Sequence, residues 1–389
     1  MVKGALWQDN RRQFLKLGAA GAGLTLLSLG RAEEVGLFFS SRDGYQAWSD
    51  VDAEHGLRAL VGAGILAANP HNSQPWTFRL TDSAIDVSLD VRRALGPVDP
   101  FLRQMHVGMG CAIENILVAA TAQDLTASAR LFPDPSDPAL AAQLTFTEAH
   151  SMASPHVAAI GRRHTNRGPY ASSRKIDLGC VAALESQVLH PDTALEMFDA
   201  TSAPGEALSK LILESTQQLL TDTDLMRATD AWFRWTPREV HEHRDGPSLA
   251  CAGLSAAKRI VAQLLPRPSS ASYHRSWLTA TRDVHLATAA SFGVISVRAP
   301  VSPTLLVEAG RLWQRIHLEG TLHGLGMQPL DQWLELVDRA RQRGVAPAVE
   351  PPLALNHRDF VPIMMFRAGI PLRVAPPSAR RALEDVLLA

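Results

Sequence analysis

Three side chains within five residues of this 389-residue chain could together bind a phosphate group: Arg163, Thr165 and Arg167. A guanidinium holds phosphate through paired N–H donors, and a threonine hydroxyl adds a further donor. A second arginine pair, Arg380 and Arg381, lies near the C-terminus. The alternative is that these arginines form ordinary solvated surface charge, which is usual for any one pair.

Two other segments carry polar side chains at turns. The segment 69–76 reads Asn-Pro-His-Asn-Ser-Gln-Pro-Trp, so Pro70, Asn72 and Gln74 could contact a ligand. His71 adds a titratable group, although a loop histidine satisfied by its neighbours accounts for it equally well. The segment 324–330 reads Gly-Leu-Gly-Met-Gln-Pro-Leu, and a lone Gly-x-Gly is most often a helix C-cap.

The hydrophobic pattern predicts the elements that must position these residues. Apolar spacing predicts helices over 55–68, 107–123 and 305–322, and alternation predicts a hairpin over 76–89 and strands over 294–299 and 361–367. Interleaved helices and strands indicate an α+β fold with central, mainly antiparallel sheets flanked by helices. Region 222–285 is less periodic, which favours an insertion or lid over a site.

Composition excludes several classes of function. The chain is 46% hydrophobic and 20% charged, as expected of a globular core, and its net charge of -1 gives no basic field for nucleic acid. No Gly-x-Ser-x-Gly, P-loop or His-Glu-x-x-His motif supports a hydrolase or an NTPase. Cys111, Cys180 and Cys251 lack zinc or disulfide spacing, and the His241-Glu242-His243 spacing does not suit a metal.

The N-terminus carries an export pattern. Residues 10–16 read Asn-Arg-Arg-Gln-Phe-Leu-Lys and precede a moderately apolar run that is too short and glycine-rich for a membrane span. This resembles a twin-arginine signal with cleavage before Glu33, which predicts a periplasmic protein that meets the twin-arginine translocase. A chance amphipathic helix is the alternative. We assign 1–32 to the signal and 33–50 to a linker.

Taken together, the four ligand-binding segments resemble the nitroreductase superfamily of FMN-dependent oxidoreductases. The resemblance implies FMN as cofactor, a nitroreductase-like fold and hydride or electron transfer at flavin N5 to a small-molecule acceptor, with no catalytic side chain required. It implies that the glycine-rich turn approaches the flavin ring and that both arginine segments bind its phosphate. The cofactor-binding residues on this basis are Pro70, His71, Asn72, Gln74, Arg163, His164, Thr165, Arg167, Gln328, Leu330, Arg380 and Arg381.

The segments are unevenly distributed along the chain. Residues 51–154 contain the Asn-Ser-Gln-Pro-Trp segment but no arginine-rich one, whereas residues 155–389 contain the arginine segments and the glycine-rich turn. This predicts two nitroreductase-like halves in one chain that mimic a homodimer, form a monomer and keep one FMN. It resembles a group of single-chain nitroreductase-like flavoproteins in which a lid covers the flavin. A flavin-sequestering protein without NAD(P)H-dependent turnover, or a degenerate interaction module, are the alternatives.

Overall fold

The computed structural model describes residues 44–49, 55–149, 152–352 and 359–388, which all belong to one compact unit. The predicted signal, 1–32, lies outside the described residues, as does most of the predicted linker. The linker stays a prediction, and residues 44–49 are the part of it that the structure describes. The Trp48 indole donates a hydrogen bond of 2.8 Å to the carbonyl of Ser378, so this segment packs against the C-terminal part of the chain.

Helices and strands alternate along the described chain. The strands are β1 (Trp76–Leu80), β2 (Ala84–Leu89), β3 (Leu125–Leu131), β4 (Leu140–Glu148), β5 (Thr193–Asp199), β6 (Ser291–Arg298), β7 (Gly326–Pro329), β8 (Phe360–Gly369) and β9 (Leu387–Leu388). The helices are α1 (Gly56–Ile65), α2 (Arg103–Ala120), α3 (Val157–Ile160), α4 (Leu178–Glu185), α5 (Ala203–Leu219), α6 (Thr223–Trp232), α7 (Pro237–His243), α8 (Ala256–Leu264), α9 (Ser270–Ala280), α10 (Pro303–Leu322) and α11 (Gln332–Arg343).

The strands form two sheets. The first has the order β3-β4-β2-β1-β9 and the second the order β5-β6-β8-β7. All neighbouring strands run antiparallel except β9, which pairs parallel to β1. The α+β class with mainly antiparallel sheets is therefore confirmed. Strand β9 belongs to the first sheet, whose other strands all come from the predicted first half, 51–154. The C-terminal end of the predicted second half, 155–389, therefore completes that sheet.

The hairpin of β1 and β2 follows directly from its sequence. Apolar residues alternate along both strands, and residues 82–83 form the turn between them. Trp76 lies opposite Leu89 and Phe78 lies opposite Val87, and these four side chains are buried. The hairpin fixes the position of the segment 69–75, because β1 begins at the next residue.

Two long helices, α2 and α10, cross at the centre of the core. A Cβ atom on Gly110 would lie 2.0 Å from the carbonyl oxygen of Val307, and one on Gly310 would lie 2.0 Å from that of Val107. Glycine is required at both positions because any side chain would collide with the facing backbone. The contact is reciprocal: each helix offers a Val-x-x-Gly stretch to the other. Helix α2 is long and apolar enough to cross a membrane, but it is largely buried inside the protein.

The predicted elements compare closely with the observed ones. Each predicted helix and strand has a counterpart, with ends that differ by a few residues. Strands β3, β4, β5, β7 and β9 are absent from the prediction. Between its terminal leucines β3 carries small or polar side chains, and exposed positions alternate with half-buried ones, so little apolar signal marks the strand. The division into halves at 51–154 and 155–389 stays a prediction.

Candidate functional site

The segment before β1 is a strained turn. Residues Pro70–Asn72 form a single 3-10 turn, and His71, Asn72 and Gln74 have φ values of 48°, 50° and 50°. Non-glycine residues adopt this left-handed region at a cost, and such strain concentrates at functional sites. The buried amide of Gln74 holds the turn in place, since it donates to the carbonyl of Arg244 at 2.9 Å and accepts from the backbone of Arg381 at 2.8 Å.

Two buried arginines meet behind this turn. Arg163 donates to the carbonyl of Leu66 at 2.8 Å, and Arg380 donates to the carbonyl of Ile65 at 2.7 Å, so both cations face the C-terminal end of α1. This position is favourable because a helix C-terminus carries partial negative charge. Asn72 supports Arg380 further, since its Oδ1 accepts a hydrogen bond of 2.5 Å.

Neither arginine pairs with a carboxylate among the described residues. Burial lowers the pKa of Arg163 to about 10, and burial together with the charge of Arg163 lowers the pKa of Arg380 to about 9. Buried cations are normally paired, because an unpaired charge in a low dielectric is costly. The pair therefore forms a cationic socket suited to an anion.

Orphaned polar atoms mark where that anion would lie. Arg163 Nε and His164 Nδ1 are buried and have no hydrogen-bond partner in the described part of the chain. Burial and the two arginines lower the pKa of His164 to about 3, so its ring is neutral and can donate one hydrogen bond. The His164 ring packs edge-on against the Trp48 ring, with 4.6 Å between the ring centroids. A phosphate group would satisfy these atoms, and the socket therefore fits the phosphate of FMN.

The socket adjoins a larger cavity of about 480 Å³, a size typical of small-molecule sites. Ala68, Asn69, Thr165 and Arg167 line both spaces. In the larger cavity, Pro70 and His71 face a stripe of α2 that includes Gly108. A Cβ atom on that glycine would lie 2.9 Å from Pro70 Cδ, so the turn approaches the helix closely.

Burial and the charge of Arg167 lower the pKa of His71 to about 4. The imidazole is therefore neutral at physiological pH and can act as a hydrogen-bond donor and acceptor. It faces the cavity from a turn that is fixed by Gln74. His71 is therefore placed where its ring can contact a ligand bound in the cavity.

A further buried cation, Arg367 on β8, lies behind the cavity wall. It donates hydrogen bonds to the side-chain oxygen of Gln328 at 2.8 Å and to the carbonyl of Gly168 at 2.7 Å. Its guanidinium carbon also lies 4.0 Å from the centroid of the Tyr170 ring. Gln328 and His285 line the cavity in front of it. Sequence reasoning missed this group, because Arg367 stands in an apolar strand where only its burial reveals its importance.

Region 222–285 supplies one wall of the cavity. Phe233, Trp235 and Tyr273 pack together with ring centroids 4.5 to 5.0 Å apart, and all three line the cavity. Aromatic faces of this kind suit a flat, conjugated ligand. All three belong to region 222–285, for which a lid stays a prediction.

The structure brings nine of the twelve predicted site residues to these two spaces: Pro70, His71, Asn72, Arg163, His164, Thr165, Arg167, Gln328 and Arg380. Three lie elsewhere. Gln74 is buried beneath the turn and holds it, and Leu330 packs in the core of the second sheet, where its amide donates to the carbonyl of Met365. Arg381 faces a separate surface groove with Asp385.

Comparison with known proteins gives partial matches. No family model matches the chain. The Mycobacterium tuberculosis protein Acg, described as a candidate NAD(P)H nitroreductase, is 32% identical over 141 residues, which cover 36% of this chain and 41% of Acg. An uncharacterised M. tuberculosis protein is 25% identical over 342 residues, which cover 85% of this chain and 92% of that protein. The chain thus spans less than half the length of Acg.

Among solved structures, the chain is similar to the FMN- and NADPH-dependent nitroreductase NfnB from Sphigopyxis sp. strain HMH, with a TM-score of 0.37 and 14% identity. That match covers 61% of this chain and 99% of the other. The FMN-dependent nitroreductase NfnB from Mycobacterium smegmatis, solved with NADPH, matches with a TM-score of 0.36 and 12% identity over 59% of this chain and 96% of the other.

Proposed function

We propose that this protein is an FMN-binding oxidoreductase of the nitroreductase superfamily. The observation that carries the proposal is a pair of adjoining cavities that share lining residues, one a cationic socket with no carboxylate in its lining and the other walled in part by aromatic rings. The socket matches the phosphate of FMN and the aromatic walls match its ring. Bound FMN would supply hydride or electron transfer at N5 to a small-molecule acceptor.

The chain's own residues would bind and shield the cofactor. Arg163, Arg380 and His164 would hold the phosphate, and Thr165 and Arg167 lie where the socket joins the larger cavity. Gln328, backed by the cation of Arg367, would present its amide to the flavin ring. A positive group near the ring favours the reduced, anionic form.

We further propose that the chain is a fused counterpart of a nitroreductase dimer, monomeric, with a single flavin. The reciprocal contact of Gly110 with Val307 and of Gly310 with Val107 supports this, because symmetric pairs make such isologous contacts. Export to the periplasm through the twin-arginine translocase stays part of the proposal, and it rests on the pattern of residues 10–16.

A flavin-sequestering protein is the second candidate, and the aromatic wall from region 222–285 favours it. A closed wall would keep NAD(P)H from the flavin while leaving the flavin bound. Smaller reductants would still reach it.

The absorbance spectrum of the purified protein tests the proposal first. We expect flavin bands with about one FMN per chain, and folded protein that neither carries nor takes up FMN would refute flavin binding. Stopped-flow mixing with NADPH and, separately, with dithionite then distinguishes the two candidates. Reduction by both reagents indicates an NADPH-dependent oxidoreductase, whereas reduction by dithionite alone indicates sequestration.

A further inference from the structure

Helix α8 (Ala256–Leu264) shows its apolar face to solvent. Apart from Ala262, the apolar residues of the helix and of the position after it share one face, at positions 256, 257, 260, 261, 264 and 265. All six are exposed, and Leu264 and Leu265 are 69% and 54% exposed. The residues turned towards the protein include Arg259 and Gln263, which are half-buried. An amphipathic helix of a globular protein normally has the opposite orientation.

The segment around this helix is basic. Residues 246–281 contain Lys258, Arg259, Arg267 and Arg275 and no aspartate or glutamate. Because the whole chain has a net charge of -1, the remaining residues carry a net charge of -5. None of the four cations lies within 4 Å of a carboxylate among the residues that the structure describes. The exposed apolar face is thus accompanied by unneutralised positive charge.

A second copy of this chain is a poor match for this surface. A two-fold symmetric interface centred on the helix would bring two copies of the basic segment together with no carboxylate from either, and like charges at an interface are unfavourable. A surface that is apolar at its centre and negative at its rim is the complement that the helix requires. An anionic lipid bilayer offers both, since acyl chains accept the apolar face and headgroups neutralise the cations.

We propose that α8, with Lys258 and Arg267 beside it, docks this protein on an anionic membrane surface. The helix would lie in the plane of the interface, with Ile260, Val261 and Leu264 inserted at the level of the acyl chains. Ala262 of the same helix lines the large cavity, so docking brings that wall of the cavity next to the lipid. The inference goes beyond the proposed function and does not depend on it.

The test is co-sedimentation of the purified full-length protein with vesicles. One set consists of phosphatidylcholine alone and the other of phosphatidylcholine and phosphatidylglycerol in equal parts. We expect binding to the anionic vesicles and little to the neutral ones. Salt at about 0.5 M should weaken the binding, because it screens the surface charge.

Two variants separate the contributions of charge and apolar area. Lys258→Gln with Arg267→Gln should weaken binding about 25-fold, since each cation near an anionic surface contributes roughly fivefold. The triple variant I260S/V261S/L264S should abolish binding, whereas Leu178→Ser, at an 84% exposed leucine outside this region, should bind as the parent does. All the substituted side chains are exposed, and circular dichroism checks that the variants are folded.

Equal binding to both kinds of vesicle, or unchanged binding by the triple variant, would overturn the proposal. So would an absence of binding to the anionic vesicles. If light scattering then shows dimers that the triple variant abolishes, the apolar face belongs to an interface with a second copy of the chain.

Discussion

Replacement of Arg163 by methionine tests the socket most directly. Arg163 donates one strong hydrogen bond, to Leu66, and its Nε has no partner among the described residues. Its loss also relieves the unfavourable proximity of two buried cations, since Arg163 lowers the pKa of Arg380. We therefore expect a folded protein with weakened binding of FMN.

The expected loss follows from the chemistry of the contact. A hydrogen bond to a charged group contributes about 1.5 to 3 kcal/mol, which corresponds to roughly 10- to 150-fold in affinity. Arg163 can form such a bond to phosphate through its orphaned Nε. The dissociation constant for FMN should rise by that factor in titrations of the apoprotein that follow flavin fluorescence.

Riboflavin and Arg381 provide the controls. Riboflavin lacks the phosphate, so its affinity should change little in the Arg163→Met variant, and the preference for FMN over riboflavin should fall by the same factor as the FMN affinity. Arg381→Met removes a neighbouring arginine that faces a different groove, so it should leave the FMN affinity within about twofold of the parent. Equal losses for FMN and riboflavin, or an equal loss from Arg381→Met, would refute the assignment of the socket.

Three further predictions concern stability and the cavity wall. Because His71 and His164 have pKa values of about 4 and about 3 in the folded protein and about 6.5 when unfolded, the unfolded state binds more protons below pH 6.5. The unfolding temperature of the apoprotein should therefore fall from pH 6.5 to pH 4, and less steeply in His71→Asn; an unchanged slope would contradict this. Gly110→Ala should lower the free energy of unfolding in urea by about 3 kcal/mol, because the new Cβ would overlap a backbone carbonyl. The control is Gly62→Ala, which should be neutral or stabilising because no atom lies within 4 Å of the new Cβ. Trp235→Ala should speed the reduction of bound flavin by NADPH if the aromatic wall limits access, and an unchanged rate in stopped flow would reject that role.

That both arginine segments bind one phosphate is what the family resemblance implies, and the residue types by themselves indicate only that clustered arginines suit phosphate. They do not separate Arg380 from Arg381, since the direction of each side chain depends on how the C-terminal segment packs. Arg380 donates to the end of α1, whereas the side chain of Arg381 points to a surface groove. Gln74 presents the same difficulty: its positive φ turns the amide away from the cavity, and backbone strain is not visible in residue types.

Arg367 shows a different limit of sequence reasoning. An arginine in a strand is ordinarily exposed, and alternation alone would place it on a solvated face. Here it is fully buried, because Tyr170 covers its guanidinium and the carbonyl of Gly168 accepts from it. These partners come from residues about 200 positions earlier in the chain, so only the tertiary fold reveals the cation behind the cavity wall.

The centre of the core and the candidate site differ in symmetry. At the crossing of α2 and α10 the two helices make equivalent contacts, with Gly110 against Val307 and Gly310 against Val107. At the site the contributions are unlike, since the strained turn lies just before β1, whereas Arg163 and Arg380 come from segments later in the chain. A symmetric assembly would repeat both contributions twice. This chain keeps reciprocal packing at its centre, but the segments around that centre are unlike, so these residues can build one such socket. This asymmetry is the physical basis for proposing one flavin per chain.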